Sequence, residues 1–170
     1  MSTLFWDCYY ERKAGVQAFK SFTFHFSLLT FYCLMNRRKA RECALQMLFQ
    51  SEFAGKEKGI TFPEDFLPPA KEKEGTKKFV EDLVTGAIRN IAEIDKVIQG
   101  AAENWDLNRM AAVDRNILRL AIYEILYRDD IPSAVTINEA LEIAKKYSSL
   151  ESVPFINGLL DKIAKDRSRA

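Results

Sequence analysis

The 170-residue sequence is short of the residues from which most catalytic and metal sites are made. It holds one histidine, His25, and three cysteines, Cys8, Cys33 and Cys43. No histidine follows residue 34, which removes Ser-His and Cys-His catalysis and most transition-metal sites from the rest of the chain. The cysteines have no metal-like spacing and give no disulfide framework. No phosphate-binding G-x-x-x-x-G-K-[ST], dinucleotide-binding G-x-G-x-x-G, H-E-x-x-H or G-x-S-x-G is present. Seven glycines and five prolines beside 48% hydrophobic residues exclude collagen-like and disordered classes. Neither sign of charge is in excess: 25 Lys plus Arg face 24 Asp plus Glu, a formal net charge of +1. Attraction to a nucleic acid must therefore be local. The length suits one globular domain, or two small halves sharing a core, without room for a full catalytic domain beside a binding domain. An enzyme is not expected, nor a cofactor.

What is present is unevenly spread. Residues 1–34 carry ten of the twenty aromatic side chains, two of the three cysteines and the only histidine. The remainder, 35–170, balances 22 basic against 22 acidic residues. The apolar run Ser21–Met35 follows Arg12, Lys13 and Lys20, an order resembling a secretory signal. It is interrupted by Thr23, His25, Ser27 and Thr30, lacks an A-x-A-like cleavage site, and precedes Asn36-Arg37-Arg38-Lys39. It is also too short for a membrane helix, which needs about 20 apolar residues. Three readings stand: a targeting segment, a poorly packed extension, or an upstream start with Met35 as the true first residue. The third is preferred. Only Cys43 then remains, as befits a reduced cytosolic protein.

From Met35 onward the apolar period is close to 3.6, so an all-α domain of at least five helices is expected. Ala40, Cys43, Ala44, Met47 and Leu48 form one stripe of a first helix ending near Gly55. Gly59, Pro63, Pro68 and Pro69 make 56–70 a connecting loop. Val80, Leu83, Val84, Ala87, Ile88 and Ile91 follow the charged lead-in 71–78. Ile94, Val97, Ile98 and Ala101 come next, before Trp105. Met110, Val113, Ile117, Leu120, Ala121 and Ile125 predict a long helix stopped by Asp129-Asp130-Ile131-Pro132. Ile137, Ala140, Leu141, Ala144 and Tyr147 mark a fifth, with Thr136 and Glu139 as a capping box and Ser133 as a competing start. Ser152 is the expected N-cap of the last helix, with Pro154 in its first turn and Phe155, Ile156, Leu159, Leu160 and Ile163 inward. Gly158, mid-helix, predicts a close helix–helix contact. Two small bundles divide near Asn90–Ile94.

One charge cluster interrupts the even distribution: Arg37, Arg38, Lys39 and Arg41, opposed only by Glu42. At a helix start such cations oppose the macrodipole. They make either a phosphate-binding patch or a solvated helix end. Asp114, Glu124, Glu139, Glu142, Glu151 and Asp161 read as solvated acids or i,i+4 partners, Glu142 with Lys146 for example. Cys43 lies on the apolar stripe and is expected to pack rather than react.

Four ordered segments carry a resemblance. Arg37-Arg-Lys-Ala-Arg-Glu-Cys-Ala-Leu-Gln-Met-Leu-Phe49 resembles the opening of the bacterial NusB family of transcription antitermination factors. Asp114-Arg-Asn-Ile-Leu-Arg-Leu-Ala-Ile-Tyr-Glu124, Val135-Thr-Ile-Asn-Glu-Ala-Leu-Glu-Ile-Ala-Lys145 and Phe155-Ile-Asn-Gly-Leu-Leu-Asp-Lys162 resemble later segments, in family order, over about residues 36–165. Residues 1–34 have no counterpart in the family, which favours Met35 as the start.

The resemblance implies an all-helical fold of two small bundles and a non-enzymatic role. That role is binding single-stranded boxA of nascent RNA together with NusE, a small-subunit ribosomal protein, within the RNA polymerase antitermination complex of ribosomal RNA operons. It implies RNA contacts at Arg37, Arg38, Lys39 and Arg41, and an aromatic at Phe155 for RNA and partner binding. Asp114 and Glu151 would modulate the same functions, although Glu151 replaces the Asp expected there. By the resemblance, Arg38→Ala should lose RNA affinity without losing thermal stability. Two alternatives remain: the RNA-binding front end of an rRNA cytosine methyltransferase, with this chain as a fragment, or a helical protein–protein adaptor. Homodimerisation is open.

Overall fold

A computed structural model describes residues 25–53, 73–102 and 106–169. Six α-helices and one short 3-10 turn make up the described residues: α1 His25–Phe53, α2 Lys73–Arg89, α3 Ile91–Ala101, the turn Leu107–Arg109, α4 Ala112–Tyr127, α5 Ser133–Tyr147 and α6 Ser152–Arg167. The expected all-α class holds. Residues 1–24, the loop 56–70 and Trp105 lie outside the described residues. The expected boundary at 34/35 falls inside α1.

Each apolar stripe turns inward as its period dictates. Ala40, Cys43, Ala44, Met47 and Leu48 are buried on α1, Val80, Leu83, Val84 and Ala87 on α2, and Ile94 and Ile98 on α3. Ile156, Leu159, Leu160 and Ile163 form the buried face of α6. The chain turns at Asn90, where the side-chain amide donates to the Gly86 carbonyl at 2.8 Å, and restarts at Ile91. The helices on either side of this turn, where two bundles were expected to divide, nevertheless share one continuous core. They do so through α4, which packs on all five other helices. That central position explains why α4 buries not only Ile117, Leu118, Ile122 and Ile125 but also Asp114, Asn116, Arg119 and Glu124.

Several local expectations are corrected. α1 already runs from His25, so the Arg-rich run lies in mid-helix, away from an end where the macrodipole would oppose it. α2 includes residues 73–78 of the charged lead-in. Thr136 and Glu139 form no capping box, because α5 starts at Ser133 after Pro132 and both side chains point to other helices. Ser152 is the first helical residue rather than the N-cap, which is Glu151 and makes no side-chain cap bond. The Ser152 amide is instead received by Ser149 Oγ at 3.2 Å. Gly158 is exposed, with nothing within 4 Å of where a Cβ would stand. The glycine that closes a helix contact is Gly86, where a Cβ would overlap the Tyr123 ring of α4. Tyr123 stacks on Tyr127 with centroids 5.4 Å apart.

Candidate nucleic-acid interface

The basic run of α1 divides by burial. Arg41 shares the inward face with Ala40, Ala44 and Leu45, and is 6% exposed. Its Nε and Nη2 donate to Glu124 Oε1 and Oε2 of α4 at 2.7 and 2.8 Å. The same carboxylate accepts the Thr136 hydroxyl of α5 at 3.0 Å. Three helices thus meet on one buried acid whose hydrogen-bond capacity is used. An arginine so held does not reach a phosphate, which removes Arg41 from the expected contact set and makes it a structural residue. Arg38 is intermediate: its Nε and Nη2 donate to Glu139 of α5 at 2.9 and 2.8 Å, while its Nη1 lies 3.9 Å from Glu142. The Glu139 side chain is 4% exposed, so losing Arg38 would leave a carboxylate buried without its guanidinium. Arg38→Ala must therefore cost stability as well, contrary to the expectation above.

Arg37 and Lys39 are exposed. The Arg37 guanidinium lies 4.4 Å from the centroid of Phe79 on α2, with those of Arg41 and Arg128 at 5.4 and 5.5 Å. A cation over an aromatic face is attracted by the ring quadrupole. Phe79 is 5% exposed and so seats α2 beneath the basic run. Arg128 is held in turn by Asp130, Nε to Oδ1 at 2.8 Å and Nη2 to Oδ2 at 3.0 Å.

Of the other expected site residues, Asp114 lies at the start of α4 and Glu151 and Phe155 at the start of α6, next to the end of α5, which polar contacts join to α1. Glu42 Oε2 accepts Lys146 Nζ at 2.7 Å and the Tyr147 hydroxyl at 2.8 Å. Burial, reinforced by the hydrogen bond to Glu42, pushes the Tyr147 hydroxyl up to about 12. Lys146 therefore serves Glu42, and Glu142 pairs with Lys145 at 2.7 Å instead of the expected Lys146. One residue beyond Tyr147, the Ser148 hydroxyl donates to Asp114 Oδ1, and Ser152 Oγ donates to Asp114 Oδ2 at 2.8 Å. Asp114, 7% exposed, ties the start of α4 to the α5–α6 turn. It fixes the approach of α6 rather than facing solvent. Phe155 follows three residues after Ser152, half-buried and packed against the core. Glu151 is exposed.

A second polar cluster closes the far end of α1. Glu52 meets Arg115, accepts Asn116 Nδ2 at 2.8 Å and lies 3.6 Å from Arg119. Arg119 donates to Asp95 Oδ1 and Oδ2 of α3 at 2.8 and 2.7 Å. Burial raises the Glu52 carboxyl, but the Asn116 and Arg115 hydrogen bonds and the two guanidinium charges outweigh it, leaving the group below its ordinary range. Among the described residues no buried side-chain nitrogen or oxygen lacks a partner. Cys43 is buried, and burial pushes its thiol up to about 11, which suppresses the thiolate needed of a nucleophile. No described helix is long and apolar enough to cross a membrane.

Sequence reasoning missed Glu42, Glu124 and Glu139. Glu124 carried a usable signal, an acid between Ile122 and Ile125 on a helix apolar nearly all round. Glu42 and Glu139 carried none, since their partners are 101 or more residues away in sequence.

Fold and site together define an all-helical module whose first helix carries a basic run, anchored by Arg41 and Arg38 and open at Arg37 and Lys39. The model of the NusB family matches residues 38–165. A transcription antitermination protein NusB of Thermodesulfovibrio yellowstonii is 49% identical over 142 residues, covering 78% of this chain and 93% of its own. The fold is similar to that of T. maritima NusB, with a TM-score of 0.69 and 41% identity over 76% of this chain and 91% of that one. It is also similar to a chain in the crystal structure of antitermination factors NusB and NusE in complex with dsRNA. There the TM-score is 0.67, with 26% identity over 78% of this chain and 98% of that one. The chain belongs to the NusB family.

Proposed function

We propose that this protein is a transcription antitermination factor that binds boxA of nascent ribosomal RNA together with NusE and joins the RNA polymerase antitermination complex. It acts by binding rather than catalysis, in the cytoplasm where transcription proceeds. The observation that carries the RNA reading is the exposure of the basic run: Arg37 and Lys39 are exposed and Arg38 is half-exposed, on a helix locked to its neighbours by Arg41. Single-stranded RNA is held by such side chains on its phosphates and by planar groups stacking on splayed bases. Phe155 is the stacking candidate, with Glu151 at the exposed rim and Asp114 positioning both. A patch of three cations is small, so RNA alone binds weakly and NusE supplies the remaining contacts.

The test is fluorescence anisotropy of a labelled boxA RNA and a scrambled RNA, titrated with and without NusE. Preference for boxA that sharpens with NusE is expected, with log K falling by about 0.7 per log salt for each phosphate held. Equal weak binding of both RNAs in the presence of NusE would refute the proposal.

A further inference from the structure

Glu142 lies on the exposed side of α5 between two cations from different helices. Its Oε1 accepts Lys145 Nζ at 2.7 Å, and its Oε2 lies 3.9 Å from Nη1 of Arg38. The two carboxylates around Arg38 are unequal. Glu139 is buried, takes the Nε and Nη2 edge, and fixes the direction of the guanidinium. Glu142 is 43% exposed, Lys145 53%, and the Nη1 edge of Arg38 and the Lys145 ammonium approach opposite oxygens of the Glu142 carboxylate. Exposed pairs of this kind are weak and screened by salt, so the Glu142 carboxylate is exchangeable where Glu139 is not. A phosphodiester resembles the carboxylate in presenting two anionic oxygens from one centre, and guanidinium and ammonium donors suit it equally.

We propose that Arg38 and Lys145 form a seat for one RNA backbone phosphate, that Glu142 fills this seat in the RNA-free protein, and that RNA binding displaces it. This extends the RNA-binding reading above and rests on it. Lys145 becomes an RNA contact and Glu142 an internal competitor that lowers affinity for any anion at this point. The Lys145 hydrogen bond, helped by the Arg38 charge, holds the Glu142 carboxyl below its ordinary range, so the seat stays filled at neutral pH. The RNA path then leaves α1 and crosses onto α5, reading Arg38 from its outer edge while Glu139 keeps it aimed.

The test is boxA anisotropy with NusE across a salt series, using the full chain and the variants E142Q, K145A, K145R and E142Q/K145A. Lys145→Ala should weaken binding and lower the salt slope by about 0.7, so that between 50 and 200 mM salt it loses about 2.6-fold less affinity than the parent. Lys145→Arg should retain the slope. Glu142→Gln should tighten binding, and that gain should shrink in the K145A background, because one side of the seat is gone. A gain of equal size in both backgrounds would reduce Glu142 to a distant repulsive charge and overturn the seat. So would a slope unchanged by K145A while the parent protein binds boxA normally. A parent that binds no RNA overturns the functional reading and the seat together. Both side chains are exposed, so all four variants should keep the parent's circular dichroism and melting temperature.

Discussion

Arg37 and Arg41 sit one helical turn apart and have opposite fates. Arg41 is enclosed with Glu124 and Thr136, and truncating one partner of a buried pair leaves the other charge uncompensated. Arg41→Ala should therefore lower stability by about 3 kcal/mol in denaturant titration. Arg37→Ala should cost only about 0.5–1 kcal/mol, the scale of an exposed cation–π contact such as the one with Phe79, while reducing RNA affinity and its salt slope. If the two variants lost RNA affinity equally at full folding, the division of the run into anchor and contact would be wrong. Glycines offer a matching contrast. Gly158→Ala removes a flexible residue from an open helix face and should gain about 1 kcal/mol. Gly86→Ala forces a methyl into the Tyr123 ring and should lose about 2 kcal/mol, as overpacking does. Thermal melts of the pair check both signs.

At the scale of elements, polar clamps set how helices meet. Asp114 holds the first turn of α4 to Ser148 and Ser152, so Asp114→Ala should loosen the start of α6. Hydrogen exchange should then rise at residues 148–155 ahead of the core of α4. The Glu52 clamp predicts a pH dependence. Its carboxyl lies lower in the folded chain than in the unfolded one, whose ordinary value is about 4.3. Above that value the clamp contributes fully. As pH falls from that value to the lower folded one the unfolded chain binds the extra proton, and the contribution is lost. Glu52→Gln should thus be less stable than the parent at pH 7, and the difference should shrink as pH is lowered into the acid range, by urea titration at each pH. The helices themselves were legible from apolar period alone, since a face needs only neighbours three and four residues away. Their clamps were not. Arg41 and Glu124 stand 83 residues apart, and which acid meets which arginine is decided only when α1, α4 and α5 pack. The same limit misassigned the Thr136–Glu139 pair, whose local spacing suits a cap while both side chains serve distant partners.

For the whole molecule, the near-zero net charge is a sum over two layers. Buried carboxylates at Glu124 and Glu139 neutralise arginines that a count along the sequence would place on the surface, so the cation available to an RNA is smaller than the run suggests. This is consistent with a factor that needs a protein partner for tight binding. α4 also has a consequence for synthesis. It is the helix on which all the others pack, yet it ends at residue 127 of 170. As the chain leaves the ribosome, α1 and α2 can already pack on each other, but the faces that α4 covers stay open until it clears the exit tunnel. The nascent chain should therefore gain the last of its protection from proteolysis late, when α4 docks.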